Sequence, residues 1–132
     1  MRIMLETNIL IFIIFFPSGV TREFTRQVGL GNRIVLCDYL IEELRLVVDR
    51  KFPERKKILE QFFYELPFEL VCTPKDLNLE DFPAVRDSKD TPILAIAILE
   101  NIDILITGDK DLRVVETEYP EIMTMSEFIA KY

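Results

Sequence analysis

The 132-residue sequence contains no histidine and only two cysteines, and these absences narrow its chemistry. Without an imidazole, the chain cannot use histidine as a general acid or base, build a Ser-His-Asp or Cys-His nucleophile, or form zinc sites that need histidine. Cys37 and Cys72 form no CxxC pair and each ends an apolar stretch, so we predict two buried thiols in a reducing compartment and no disulfide. Any reaction must therefore use carboxylates, lysines, hydroxyls or a bound cation.

Glycine and proline are also scarce, at 4 and 7 residues, while 49% of the sequence is hydrophobic and 30% is charged. This composition is that of a globular protein and not of a disordered or fibrous one. The length suits one domain whose core needs no disulfide. No repeat, low-complexity tract or linker interrupts the chain, so we predict a single domain over residues 1–132.

The sequence has no apolar run long enough to cross a bilayer, which takes about 20 residues. The longest run, residues 9–16, has the length of a signal-peptide core. However, polar residues 6–8 interrupt the apolar start of the chain, and no small-residue cleavage site follows. We predict that the run is a buried helix ended by Pro17 and Gly19, in a cytoplasmic protein without membrane association.

Basic residues are fewer than acidic ones, 16 against 23, so the net charge is −7. Such a balance argues at first against a nucleic-acid partner, since phosphates bind basic surfaces. The charge is unevenly distributed, however: residues 1–57 carry 10 Lys and Arg against 7 Asp and Glu, whereas residues 58–132 carry 6 against 16. Bound divalent cations would offset part of the acidic excess wherever carboxylates converge.

Short apolar runs alternate with helical patterns along the whole chain. We predict strands at residues 3–5, 34–37, 68–72, 103–107 and 122–125. We predict helices at residues 9–16, 21–28, 38–50, 54–66, 92–99, 111–116 and 127–131, with Asp38, Thr91 and Ser126 as N-terminal caps. Residues 73–89 should form a long loop. This alternation predicts an α/β domain whose mostly parallel sheet is covered on both faces.

Acidic residues follow two of the predicted strands. Ligands of parallel sheets bind beyond the carboxyl ends of the strands, so these residues are candidates for a site. Glu6 comes after the first strand, and Asp109 and Asp111 come after the fourth. The structural alternatives are a turn residue at position 6 and a helix cap at position 109.

Two further carboxylates are candidates for the same edge. At about 100° per residue, Glu43 lies at the flank of the apolar stripe of its helix, whereas Glu42 points toward water. Asp90 precedes the cap of a buried helix, where the helix dipole favours negative charge, although Asp87 could serve equally on local grounds. Converging carboxylates repel one another unless a cation neutralises them, and they suit Mg²⁺ or Mn²⁺. One or two such ions can hydrolyse phosphodiesters by activating water.

Four short motifs resemble, in order, those of the PIN-domain family and of its prokaryotic toxin-like branch. LETN at residues 5–8 looks like the family's LDTN, and IEEL at residues 41–44 looks like its helical acidic motif. RDSKD at residues 86–90 looks like its central aspartate motif ahead of an LAxA helix, here LAIA at residues 94–97. TGDKDL at residues 107–112 is the most specific of the four. The resemblance covers nearly the whole chain.

The resemblance implies a three-layer α/β/α fold with strand order 3-2-1-4-5 and a Mg²⁺- or Mn²⁺-dependent endoribonuclease that cuts single-stranded RNA. It also implies frequent homodimers and a toxin role restrained by an antitoxin. The implied metal ligands, which would also be the catalytic residues, are Glu6, Glu43, Asp90 and Asp109, with Asp111 as an auxiliary carboxylate. Asn8 and Thr107 would orient ligands and water, with turn hydrogen bonding as the alternative role.

The first acid of the motifs departs from the family, which has aspartate where this chain has Glu6. The glutamate is longer by one methylene, and metal sites tolerate displacements of only about 0.5 Å. Two hypotheses follow: a metal-dependent ribonuclease, or a catalytically impaired PIN-like module that binds RNA or a protein partner. A phosphate-handling protein of another kind is disfavoured, because the sequence lacks a Gly-rich phosphate loop and a P-loop lysine.

If RNA crosses the acidic pocket, the basic residues of the first part of the chain are the candidates to hold its phosphates. The alternative is a solvated helix face, which is the common role of a run of charges. These candidates are Arg22, Arg26, Arg33, Arg55, Lys56 and Lys57.

Overall fold

The computed structural model describes all 132 residues and contains one sheet of five parallel strands. The strands are β1 (Arg2–Leu5), β2 (Arg33–Cys37), β3 (Phe68–Val71), β4 (Ile104–Ile106) and β5 (Glu121–Met123). Their order in the sheet is β3-β2-β1-β4-β5, which confirms the order 3-2-1-4-5 and the α/β class. Because every pair of neighbouring strands is parallel, all five carboxyl ends lie at one edge of the sheet.

Helices cover both faces of the central strands. Ile3, Met4 and Leu5 are consecutive in β1, and none of them is more than 1% exposed. Successive side chains of a strand point to opposite faces, so this burial requires packing on both sides. The three residues of β4 are buried in the same way, whereas the edge strands β3 and β5 are only partly buried. The layers are therefore helix, sheet and helix.

Seven helices connect the strands or follow the last one. They are α1 (Thr7–Phe15), α2 (Gly19–Val28), α3 (Asp38–Lys51), α4 (Lys56–Glu65), α5 (Thr91–Leu99), α6 (Lys110–Arg113) and α7 (Met125–Lys131). A 3-10 turn at Pro53–Arg55 precedes α4, and another at Leu79–Asp81 lies within the otherwise irregular segment before α5. None of these helices combines the length and the apolar character that crossing a membrane would require.

Several helices begin within two residues of the predicted start, and the caps of α5 and α7 differ from the prediction. Asp90, and not Thr91, occupies the N-terminal cap position of α5. Helix α7 begins earlier than expected, and Thr124 takes the capping role predicted for Ser126, because its hydroxyl accepts a hydrogen bond from the Glu127 N–H at 3.1 Å. A hydroxyl three residues before an unpaired helical N–H is the geometry that a cap needs. The predicted helix at 111–116 is also shorter, since α6 ends at Arg113.

Asp38 opens α3, but its carboxylate also holds a neighbouring segment. Cys37 occupies the cap position, and Asp38 Oδ1 accepts hydrogen bonds from the backbone N–H groups of Tyr39 and Thr73, both at 2.8 Å, and from the Thr73 hydroxyl. Burial alone would raise the pKa of Asp38, but these hydrogen bonds together lower it. The carboxylate therefore joins the start of α3 to the segment that follows β3, at the carboxyl edge of the sheet.

The two cysteines are free, as predicted, but they differ in burial. Cys37 is buried at the end of β2, whereas Cys72 is exposed just after β3. The prediction of a buried thiol is therefore wrong for Cys72, because β3 is an edge strand that ends at Val71. Burial raises the pKa of the Cys37 thiol to about 11, which keeps it protonated and unreactive.

The capping of α7 gives a test of the helix boundary. Replacing Thr124 with alanine should lower the free energy of unfolding by about 1 kcal/mol, because the first turn of α7 loses a hydrogen-bond acceptor. Replacing Ser126, which is exposed and lies inside the helix, should change it by less than about 0.5 kcal/mol. Urea unfolding of the two alanine variants measures the difference. A larger loss for Ser126→Ala than for Thr124→Ala would contradict the boundary.

Candidate active site

The ends of β1 and β4 place two polar side chains side by side. The register of the sheet pairs Leu5 with Ile106, and the backbone N–H of Glu6 donates to the carbonyl of Ile106 at 3.1 Å. The next residue of β4 is Thr107, whose backbone N–H donates to the carbonyl of Met123 on β5 at 3.0 Å. Glu6 is 4% exposed and Thr107 is fully buried. The carboxylate and the hydroxyl therefore meet at the carboxyl edge of the sheet.

Asp109 combines two roles that sequence reasoning treated as alternatives. Its Oδ1 accepts a hydrogen bond from the Asp111 N–H at 2.8 Å and so caps α6. Its own N–H donates to the Thr107 hydroxyl at 3.0 Å, which fixes the turn after β4. The charge of this carboxylate acts on both Glu6 and Asp90. The helix cap is real, and it also fixes the carboxylate beside the other acids.

Glu43 and Asp90 come to the same place from two helices. Glu43 is half-buried on α3, and its charge acts on Glu6, whereas the neighbouring Glu42 is exposed. Asp90 is 6% exposed at the start of α5, next to Asp109. Asp87 is exposed, yet its charge also raises the pKa of Glu43 and Asp90, so it lies at the rim of this group. The structure thus gathers four of the predicted acids into one cluster.

We define the acidic cluster as Glu6, Glu43, Asp90 and Asp109. Burial and like charges shift the pKa values of Glu6, Glu43 and Asp90. Burial raises the pKa of Glu6 to about 7, and the Asp109 and Glu43 charges add to this shift. Hydrogen bonds from the Asn8 backbone and the Thr107 hydroxyl lower the pKa but do not cancel the rise. Burial and the proximity of Asp109 and Glu6 raise the pKa of Asp90 to about 7. Burial also raises the pKa of Glu43, although Thr7 and Lys89 oppose the shift. Without a cation, the cluster therefore binds protons near neutral pH.

Three carboxylate oxygens of the cluster are buried and have no hydrogen-bond partner: Glu6 Oε2, Glu43 Oε2 and Asp90 Oδ2. The buried Thr7 hydroxyl lies near Glu43 but makes no full hydrogen bond to it. Unpartnered buried oxygens are costly, and a hard cation would satisfy them. No three of the acids are already in the close arrangement of a finished metal site, so they would have to close around a cation. The donor set fits a divalent ion such as Mg²⁺.

The remaining predicted residues have more peripheral positions. Asp111 is half-buried, and its Oδ1 lies 3.8 Å from Nε of Arg86. Asn8 is exposed, and the part of it that faces the Glu6 carboxylate is its backbone N–H. Thr107 holds Asp109 through its hydroxyl and also lowers the pKa of Glu6. Of the two residues expected to orient ligands, Thr107 thus contacts the acids through its side chain and Asn8 through its backbone.

Two of the basic residues proposed for RNA binding lie far from the acids or are already paired. Arg33 begins β2 at the amino edge of the sheet, which is opposite the acidic cluster, and its guanidinium lies 3.8 Å from Glu69. A cavity of about 410 Å³ beside Arg33 lies at this same amino edge and is remote from the acids. Arg26 pairs with Glu23 at 2.6 Å on α2. Neither guanidinium is placed to hold a phosphate at the cluster.

The other four basic candidates differ in availability. Arg55 lies over three phenylalanine rings at 5.6 to 5.8 Å and donates to the carbonyl of Phe15, so packing holds it. Lys56 pairs with Asp49 at 2.8 Å. Arg22 and Lys57 are exposed and make no ion pair, so they remain candidates for phosphate contacts.

Sequence reasoning missed three residues beside the acids. The Tyr39 hydroxyl donates to the carbonyl of Lys89 at 3.0 Å, and burial together with the Glu43 and Asp90 charges raises its pKa. This bond ties α3 to the segment that leads into Asp90. Lys89 lies close enough to lower the pKa of Glu43, and Arg86 faces Asp111. The sequence did contain two signals. Tyr39 precedes Glu43 by one helical turn, and Arg86 and Lys89 lie inside the RDSKD motif.

The fold and the cluster define a class of protein: an α/β domain with buried carboxylates converging at the carboxyl edge of a parallel sheet. A family model described as PIN domain matches residues 2–111. The chain belongs to the PIN-domain family. Proteins of this family are generally nucleases, and they generally use divalent metal ions.

Comparison with solved structures supports the fold. The chain is similar to one in the crystal structure of VapBC2 from Rickettsia felis bound to a DNA fragment from their promoter, with a TM-score of 0.69 and 20% sequence identity. The similarity covers 93% of this chain and 97% of the other. At this identity the likeness concerns the fold alone. A search of curated proteins finds no match.

The raised pKa values predict how the metal-free protein responds to pH. Below about pH 4.5 the Glu6 carboxyl is protonated in both the folded and the unfolded chain, so it costs no stability. Between about pH 4.5 and 7 only the unfolded chain ionises, so the free energy of unfolding falls, and above pH 7 the loss is complete. For Glu6 alone the loss is on the order of 3 kcal/mol.

Glu6→Gln should remove this loss. In EDTA at pH 8 the variant should be more stable than the parent, and added Mn²⁺ should stabilise it less, because one charged ligand is missing. Thermal unfolding at pH 5 and pH 8, with EDTA or Mn²⁺, measures both effects. Glu42→Gln is the matched control, since Glu42 is the exposed neighbour of Glu43 on α3 and lies outside the acidic cluster. A parent whose stability is equal at the two pH values would contradict the charged cluster.

Proposed function

We propose that this protein is a Mg²⁺- or Mn²⁺-dependent endoribonuclease that cuts single-stranded RNA at the acidic cluster. The observation that supports this best is the set of three buried carboxylate oxygens without a hydrogen-bond partner, contributed by Glu6, Glu43 and Asp90. A purely structural core would not retain such oxygens, because each one costs free energy unless a cation or a proton satisfies it. Membership of a family whose proteins are generally nucleases supports phosphodiester hydrolysis as the reaction of such a cation.

In this proposal the four acids of the cluster hold the cation, and Asp111 supports it from the rim. Metal ions bound there would supply an activated water and stabilise the leaving oxygen of the phosphodiester. Thr107 orients the site, because its hydroxyl accepts from the Asp109 N–H and lies against Glu6. Tyr39 fixes the approach of α3 to the segment before Asp90 through its bond to the Lys89 carbonyl.

Cation binding would also release protons from the site. Glu6 and Asp90, with pKa values near 7, are partly protonated at neutral pH when no metal is bound. A metal ligand must be deprotonated, so cation affinity should rise with pH across this range. The same two carboxyls are therefore the groups that connect metal binding to pH.

A second candidate function is a PIN-like module that binds RNA or a protein partner without cutting. The observation that favours it is Glu6, which stands where the family has aspartate. The carboxylate is buried and its charge interacts with Asp109 and Glu43, so the surrounding site is packed around the longer side chain. We therefore place this function second.

Cleavage of RNA tests the nuclease. The parent should cut an unstructured RNA with Mg²⁺ or Mn²⁺ and not with EDTA, and Asp109→Asn should lower the rate by about a hundredfold or more, since it removes a ligand charge. Glu6→Asp should lower the rate by about tenfold, because the shorter side chain draws the carboxylate away from Asp109 and Glu43. Rates measured on a fluorescent oligonucleotide give both values.

Glu42→Gln is the control and should cut like the parent, because Glu42 is exposed outside the cluster. A faster Glu6→Asp variant would instead mean that the longer acid handicaps the site. If the parent shows no cleavage above the EDTA level with either metal, the nuclease proposal is wrong and the binding module takes its place.

We further propose a cytoplasmic toxin whose activity an antitoxin restrains. The support is the similarity in fold to a chain of a VapBC toxin-antitoxin complex, together with membership of the family. Induced expression should then slow growth of a host cell for the parent and not for Asp109→Asn.

We also propose that the protein forms a homodimer through the outer face of α1. After its first two residues this helix is entirely apolar, and Phe12 on the helix and Phe16 at its C-terminal cap, one turn apart, are 49% and 48% exposed. A second copy would cover these rings in a symmetric contact, in which each subunit presents the same face.

Light scattering after size exclusion tests the dimer. The double variant Phe12→Glu and Phe16→Glu should be monomeric, because burying four glutamates in a symmetric contact is unfavourable. Leu46→Glu is the control, because Leu46 is 68% exposed on α3 and should leave the dimer intact. A parent that is already monomeric would contradict the homodimer and leave the α1 face for an antitoxin.

A further inference from the structure

A cleft of about 430 Å³ shares one lining residue, Asp111, with the candidate active site, and its other lining residues have no role in the chemistry described above. Two segments line it: residues 83–86, which precede α5, and residues 114–116, which follow α6. Asp111 belongs to the lining of the cleft, and its backbone N–H donates to Asp109 Oδ1 at 2.8 Å, so the cleft begins at a residue that directly contacts the acidic cluster. Any substrate bound at the cluster therefore has this cleft as its neighbour.

The lining of the cleft is apolar, with a polar border. Pro83, Val85, Val114 and Val115 supply apolar surface, and Val114 is 72% exposed although it lies beside a polar site. Arg86, Asp111 and Glu116 supply the polar groups. Apolar walls with a few polar groups are typical of sites for small organic groups. The lining suits a flat group that has a hydrogen-bonding edge.

The charged groups that line the cleft disfavour an occupant that is only an anion. Arg86 is the one cation of the lining, and its side chain is 86% exposed and 3.8 Å from Asp111, so it is free to turn toward a phosphate. Asp111 and Glu116 would repel any further negative group in the cleft. The occupant should therefore have a neutral part in the cleft and an anionic part at Arg86 and the acidic cluster. A nucleotide has this arrangement.

We propose that the cleft binds the base of the nucleotide next to the scissile phosphate and so determines the sequence preference of cleavage. The proposal rests on the nuclease function for its role, but base binding can be measured without cleavage. Base contacts matter here, because the acidic half of the molecule offers few cations and phosphate contacts alone would give little affinity. The Glu116 carboxylate would accept from an amino group of the base, and Arg86 would contact the phosphate.

Nuclear magnetic resonance of isotope-labelled valine methyl groups tests base binding directly. The four nucleoside 5′-monophosphates are titrated separately into the full chain with Mg²⁺, and ribose 5-phosphate serves as the ligand without a base. We expect shifts at Val114 and Val115, with Kd values on the order of 1 mM for the preferred base. The four bases should differ by about threefold or more, and ribose 5-phosphate should leave these methyl groups unshifted.

A matched pair of variants separates the cleft from the rest of the surface. Ala84→Trp fills the cleft, so it should abolish the shifts and change the sequence preference of cleavage. Ala130→Trp on α7 is the control and should do neither. Both alanines are exposed, but only Ala84 lines the cleft. Equal shifts with ribose 5-phosphate, no shift up to about 10 mM nucleotide, or shifts that persist in Ala84→Trp would each overturn the proposal.

The two proposals fail in different ways. If the parent does not cut RNA but the valine methyl groups distinguish the bases, the nuclease function is wrong and the base-binding cleft remains. If the parent cuts RNA and Ala84→Trp leaves the sequence preference and the methyl spectra unchanged, the cleft proposal is wrong and the nuclease function remains.

Discussion

Repulsion between buried carboxylates is the constraint on which the rest of this site depends. Glu6 and Asp90 are 4% and 6% exposed, and each lies within reach of the Asp109 charge. A fold keeps such groups together only if something neutralises them, because desolvation and like charges both oppose ionisation. Protons can do so near neutral pH, and a divalent cation can do so at any higher pH. The acidic cluster is therefore a place where folding, proton binding and cation binding are linked.

The sheet makes this unfavourable arrangement possible. Strands β1 and β4 are central, adjacent and buried except at Arg2, so their carboxyl ends hold Glu6 and Thr107 in a fixed relation. The Thr107 hydroxyl then fixes the turn that carries Asp109, and this turn caps α6. The stability of the hydrophobic core thus supports a polar site that would not assemble by itself.

The distribution of basic side chains follows the same architecture. The cations that the sequence suggested for RNA are mostly far from the acids or engaged: Arg33 lies at the opposite edge of the sheet, and Arg55 is packed over aromatic rings. Arg86 and Lys89, which belong to the aspartate motif itself, lie beside the acids instead. With so few cations at the rim, the proposed nuclease would depend mainly on bound metal and on contacts to the bases for its substrate affinity.

The sequence by itself determined the α/β class and, through the resemblance, the strand order. It also determined four candidate acids: Glu6 and Asp109 after strands, Asp90 at a helix start and Glu43 at the flank of a helix stripe, since parallel strands bring their carboxyl ends to one edge. Local patterns could not decide that Asp87 lies at the rim, that Arg33 lies at the wrong edge, or that Cys72 is exposed, since these depend on which strands become neighbours and which strand forms the edge. The bond from Tyr39 to the Lys89 carbonyl joins residues 50 positions apart. Only the tertiary structure could bring them together, because nothing in the local sequence of either residue encodes the other's position.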